Sequence, residues 1–234
     1  MRSPAGGISL GSIAENMESI WQRIGRAAAR AGSDARDITL VAVSKNRSME
    51  EIREAAEAGQ KVFGENRAQE FRDKLAGLGT DLEWHFIGHL QRNKVNMVVG
   101  KADLIHSVDS SRLLESVALR AQELGIVQPI LLQVNVSGEE SKYGMAEEET
   151  ATLLESALAL PAVRVSGLMT IAPLAGAEQT RACFRRLREL RDSLTRDRPP
   201  QDLGILSMGM TQDFEVALEE GANMVRIGTA IFAT

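Results

Sequence analysis

The chain has 234 residues, enough to bury a sizeable core as one large domain or two small ones. Apolar residues make up 44% and charged residues 25%. The net charge of −5 comes without a block of like charges, so neither nucleic acid nor an anionic membrane is indicated as a partner. One cysteine, Cys183, excludes an internal disulfide; with no signal-peptide h-region and no apolar run of membrane-spanning length, a reducing, cytoplasmic setting is expected.

Ile13, Met17, Ile20, Trp21, Ile24 and Ala28 recur at three- and four-residue steps, which predicts a helix over 8–31 that stops at Gly32. The stretch ITLVAVSKN (38–46) follows, and its apolar, largely β-branched run predicts a buried strand over 38–44. Helices and strands then alternate. Helices are expected at 49–58, 67–76, 91–99, 111–124, 146–159, 177–195 and 213–220. The strands between and after them are KVFGEN, EWHFIG, DLIHSVD, QPILLQVNVS, VRVSGLMT, LGILSMGM and NMVRIGTAIF. Strands joined by helices pair in parallel through right-handed crossovers. Eight such units in a chain of this length predict a closed (β/α)8 TIM barrel occupying residues 1–234 as a single domain. The sequence runs out just after the eighth strand, so the additional N-terminal helix is expected to fill the gap in the outer ring. An open doubly wound sheet is the competing architecture, and the absence of GxGxxG after the first strand weighs against it.

In a barrel, chemistry gathers where strands end. The strand ends here carry Lys45, Asn66, His85 with Gly88, Ser107, Asn135, Met169 with Thr170, Ser207 with Gly209, and Arg226 with Gly228 and Thr229. Arg outnumbers Lys by 21 to 6, so a lysine closing an apolar strand stands out. An arginine stays protonated, whereas a lysine amine can attack a carbonyl and form a Schiff base. Ser207, Gly209 and Thr211 precede a short helix, and Gly228 and Thr229 end the last strand. Small residues and hydroxyls at these two loops suit a phosphate, although the same residues also serve as ordinary turn and capping groups. An amine opposite a phosphate cradle suggests pyridoxal 5′-phosphate (PLP). Arg226 would face the same side as Gly228, toward either the pyridine nitrogen or the phosphate. A barrel that binds another phosphorylated metabolite is the alternative. The histidines 85, 89 and 106 fit no zinc template with Cys183; His85, between Trp84 and Phe86, also reads as a hydrogen-bonded core residue.

The segments VAVSKN, FGENRAQEF, WHFIGHLQRNK, HSVDS, VNVSGEESKYGM, GLMTIAP, LSMGMTQDFEVAL and VRIGTAIF, in this order over about residues 38–232, resemble the pyridoxal-phosphate homeostasis protein family, single-domain relatives of alanine racemase. The resemblance implies a fold-type III barrel with PLP on Lys45. It implies phosphate contacts from Ser207, Gly209, Gly228 and Thr229, with Arg226 and Asn66 near the cofactor. Thr211 stands where many members have Ser, which retains the hydroxyl. The family's expected role is intracellular PLP (vitamin B6) and amino-acid homeostasis without catalytic turnover, with apo PLP-dependent enzymes as possible recipients.

The rival function is amino-acid racemisation, which needs an acid/base group on each face of the cofactor. Two-domain racemases supply a tyrosine from a second domain. This chain's only tyrosine is Tyr143, which reads as a packed loop residue. A PLP carrier, not an enzyme, and a monomer are therefore the expectations.

Overall fold

The computed structural model describes residues 12–79, 81–139, 143–173, 175–196 and 203–233. Among them, eight strands close into a parallel barrel in chain order: β1 (Thr39–Val43), β2 (Val62–Glu65), β3 (Glu83–Phe86), β4 (Leu104–Val108), β5 (Gln128–Gln133), β6 (Val163–Met169), β7 (Ile205–Ser207) and β8 (Met224–Ile227). The helices are α1 (Ile13–Ala31), α2 (Met49–Glu57), α3 (Ala68–Leu78), α4 (Val95–Val98), α5 (Ser111–Leu124), α6 (Glu147–Leu158), α7 (Ala177–Thr195), α8 (Phe214–Glu219) and α9 (Thr229–Phe232).

Alternation along each strand separates two apolar layers. Val41, Leu104, Leu131, Met169 and Met224 fill the barrel interior. Their strand neighbours Leu40, Ala42, Phe63, Trp84, Phe86, Ile105, Leu168 and Val225 join the larger layer beneath the helices. Both faces of every strand are thus covered, which is why the strands read as runs and not as strict apolar–polar alternation. Phe71 of α3 meets Trp84 and Phe86 edge-on at 6.3 and 6.1 Å, fastening that helix over β3.

Helix α1 fills the expected gap. It lies against α2, α8 and α9. Ser12 and Glu15 form a capping box at its start, and Gly32 closes it in the left-handed region at φ 70°. The Asn16 side chain donates to the carbonyls of Ile231 and Ala233, and Arg23 pairs with Glu215 of α8 at 2.9 Å. Helix α8 is tied in turn to α7, where Arg181, Arg185 and Arg188 converge on the buried Glu220.

Four local expectations are corrected. The first helix begins at Ile13; residues 8–11 of the expected span lie outside the described residues. Trp21 does not join the buried stripe and is 38% exposed, because it sits one residue past Ile20 and so about 100° around the helix. The expected helix 91–99 is a 3₁₀ turn (Arg92–Lys94) running into the single turn of α4. The expected strand 223–232 ends at Ile227, where Gly228 turns the chain into α9.

Ile24 is fully buried, so Ile24→Ala is expected to cost about 2–5 kcal/mol in urea unfolding, and Trp21→Ala under about 1 kcal/mol. Equal losses would contradict this placement of the α1 face.

Candidate functional site

The run ending in Lys45 is held on both flanks. Ser44 is buried; its N–H donates to the Gly64 carbonyl at 3.0 Å and its hydroxyl to Glu65 Oε1 at 2.8 Å. The Ser44 carbonyl accepts from Lys74 Nζ of α3 at 2.6 Å, and the same ammonium bonds Glu65 Oε1. On the other side Asn46 takes φ 57°, an unusual value for a non-glycine residue. Its N–H donates to Glu70 Oε2 at 3.1 Å, and that bond holds the Glu70 carboxyl below the usual carboxylate range. Glu65 and Lys74 form an ion pair almost without solvent contact, so each is costly without the other. The backbone around Lys45 is thereby fixed. Its own amine makes no hydrogen bond or ion pair among the described residues.

Lys45 borders a cavity of about 230 Å³ at the carboxyl-terminal mouth of the barrel, together with Val43, Arg226, Gly228, Thr229 and the loop Met210–Asp213. Closure of the barrel makes this possible, since β1 pairs with β8 and places Val41 beside Arg226. Arg226 is 4% exposed. It donates from Nη1 to Ser207 Oγ at 2.6 Å and from Nη2 to the Thr170 carbonyl at 2.9 Å. Among the described residues no carboxylate lies within ion-pair distance of it. Burial lowers its pKa to about 10, with Asp213 opposing the shift, so the guanidinium remains charged at neutral pH. Burial pushes the Asp213 carboxyl up, against the Met210 N–H that donates to it and the charge of Arg226.

Two glycines shape this mouth. Gly209 has φ 94°, and a Cβ there would lie 2.6 Å from the Ala217 Cβ and 2.9 Å from the Phe214 Cα. A side chain would push α8 off the loop. At the ends of β2 and β3, a Cβ on Gly88 would sit 2.1 Å from the Asn66 carbonyl oxygen.

Of the expected site residues, Lys45, Arg226, Gly228 and Thr229 meet on one cavity. Asn66, Ser207 and Gly209 do not border it. Ser207 is wholly buried beneath Arg226, with its oxygen also 3.0 Å from His106 Nδ1. Asn66 is half-buried behind the end of β2, and its side-chain oxygen has no hydrogen-bond partner among the described residues. Sequence reasoning missed Glu65, Glu70 and Lys74. The available signal was Lys74 at a three-residue step from Phe71, a cation in the apolar stripe of α3. Tyr143 is 61% exposed and stacks on His89 at 4.0 Å, away from the cavity lining. Among the described residues no group of His, Cys, Asp or Glu could hold a metal ion, and no helix is long and apolar enough to cross a membrane.

A closed parallel barrel with a lysine after β1 and a buried arginine on β8 defines the class, and residues 8–234 match the family model described as alanine racemase, N-terminal domain. The chain is 50% identical to the pyridoxal phosphate homeostasis protein of Aquifex aeolicus, over 93% of this chain and 96% of that one, and 44% identical to that of Pseudomonas aeruginosa, over 95% and 96%. It belongs to the pyridoxal phosphate homeostasis protein family. The structure of PipY from Synechococcus elongatus with PLP bound superposes with a TM-score of 0.83 at 38% identity, covering 94% of this chain and all of that one. An alanine racemase of Clostridium difficile, 15% identical, shares the fold at a TM-score of 0.73; this chain covers 56% of it.

Lys74→Met strands the buried Glu65 carboxylate and is expected to cost about 3–5 kcal/mol in chemical denaturation. Adding Glu65→Leu should recover most of that loss; no recovery would contradict the pairing.

Proposed function

We propose that this chain binds PLP at the Lys45–Arg226 cavity and serves in PLP and amino-acid homeostasis, without catalytic turnover. The observation that carries this reading is one cavity bordered by an amine and a buried cation that, among the described residues, have no carboxylate partner, in a member of a family named for PLP homeostasis. The residues suit the cofactor. A fixed guanidinium offers charge to an acceptor, and the amine has no competing partner. Gly228 and Thr229 add a small side chain and a hydroxyl beside both. When bound, PLP supplies an aldehyde that condenses with an amine to a Schiff base.

In this reading Lys45 supplies the amine, and the clamp of Lys74, Glu65 and Glu70 holds the backbone from which it reaches. Arg226 supplies fixed positive charge to the pyridine nitrogen or to the phosphate. Thr229 and Gly228 serve the phosphate. Ser207 acts from beneath, through Arg226; Gly209 does so by letting the Met210–Asp213 loop close over α8. Asn66 braces the neighbouring strand end.

One feature supports a carrier over a racemase. Tyr143 is engaged with His89 and is not among the residues that line the cavity, so it is not placed as the second base that racemisation requires. A one-domain, monomeric, cytoplasmic protein that hands PLP to apo-enzymes fits this arrangement.

Purified protein incubated with PLP is expected to gain a visible absorption band that Lys45→Ala abolishes. A protein that stays colourless and takes up no PLP would overturn the assignment and leave another phosphorylated metabolite as the ligand. Loaded protein given single-enantiomer amino acids is expected to leave their optical rotation unchanged. Sustained racemisation lost in Tyr143→Phe would make the protein an enzyme.

A further inference from the structure

A continuous line of polar groups runs through the barrel interior from one mouth to the other. Arg226 Nη1 lies 2.6 Å from Ser207 Oγ. Ser207 Oγ lies 3.0 Å from His106 Nδ1, His106 Nε2 lies 3.0 Å from His85 Nδ1, and His85 Nε2 lies 2.8 Å from Glu83 Oε1. Ser207 and His106 have no solvent exposure and His85 has 1%. Glu83 opens β3 at the amino-terminal mouth, where its side chain is half exposed beside Thr39, Asp103 and Arg164. The chain crosses from β3 and β4 to β7 and β8, through an interior otherwise filled with Val, Leu and Met.

The donors allow one consistent direction. Arg226 can only donate, so Ser207 Oγ accepts from it. The Ser207 hydrogen then has one acceptor among the described residues, His106 Nδ1. A neutral His106 with a bare Nδ1 carries its proton on Nε2 and donates to His85 Nδ1. His85 then carries its proton on Nε2 and donates to the Glu83 carboxylate. Every contact pairs one hydrogen with one lone pair. Reversing His106 would leave the Ser207 hydrogen without an acceptor in a sealed interior. Reversing neutral His85 as well would turn its bare Nε2 toward an anion. Burial pushes the His106 pKa well down, and the charge of Arg226 adds to this, in keeping with a neutral ring.

We propose that Ser207, His106, His85 and Glu83 form a one-way hydrogen-bond relay that positions Arg226 and connects it to a counter-charge at the opposite mouth of the barrel. The four are positioning residues: Asp213 acts on Arg226 only through space, and the relay adds a bonded path to a second anion, Glu83, four hydrogen bonds away, with each intervening bond polarised toward it. The consequence for PLP binding rests on the function proposed above; the relay itself does not.

The test starts without cofactor. Nitrogen-15 NMR of the PLP-free protein is expected to find His85 and His106 both neutral and protonated on Nε2. A proton on Nδ1 of either ring, or an imidazolium, overturns the relay. Glu83→Leu, at a half-exposed rim where folding is tolerant, is expected to shift the side-chain N–H signals of Arg226 at the far mouth; unchanged signals overturn the connection. In the PLP-loaded protein, His106→Phe is expected to weaken binding about tenfold, the effect of losing the one hydrogen bond that holds Ser207 beneath Arg226. Unchanged affinity in the folded variant overturns the positioning role. If wild-type protein takes up no PLP, the proposed function fails while the first two readouts still decide the relay.

Discussion

A charged guanidinium buried in a protein must be compensated, and Arg226 meets that constraint without a carboxylate in contact among the described residues. Two neutral acceptors, Ser207 Oγ and the Thr170 carbonyl, hold two of its nitrogens in place. Asp213 contributes at longer range. The arginine is therefore rigid and charged, and it lies against a cavity. Such a group favours a ligand that brings an acceptor or negative charge, and the rest of the mouth is arranged around it.

The barrel's closure supplies the second component. Because β8 returns to β1, a residue two positions past the end of β1 shares a cavity with the end of β8. Lys45 is that residue. Its backbone is set by bonds to the residues before and after it, all reaching from the next βα unit: Glu65 at the end of β2, and Glu70 and Lys74 on α3. The fixed part is the main chain, while the amine stays uncommitted. That division suits a side chain whose task is to engage a ligand.

Much of this was legible in the sequence, for local reasons. Helix periods, glycine stops such as Gly32 and Gly125, and apolar strand runs are short-range signals, and they yielded all eight strands and the barrel. Lys45, Arg226, Gly228 and Thr229 stood out because they interrupt or end such runs, and strand-end position in a barrel translates directly into mouth position. The features that escaped depend on closure. Ser207 lies one strand from Arg226, and its alternation shows only that it faces inward, not that its hydroxyl is taken from below. His85 was readable as a hydrogen-bonded core residue, yet nothing in the spacing of residues 85, 106 and 207 announces that they touch. Trp21 looked apolar and in phase, but sits at the edge of the stripe. The last strand was overrun because TAIF is as apolar as the strand before it, and only Gly228 marked the change.

The most direct test of the central claim is borohydride reduction of PLP-loaded protein, followed by peptide mapping of the pyridoxylated residue. The account predicts a single labelled lysine, Lys45. Labelling at Lys74 or another lysine, with Lys45 unmodified, would contradict it.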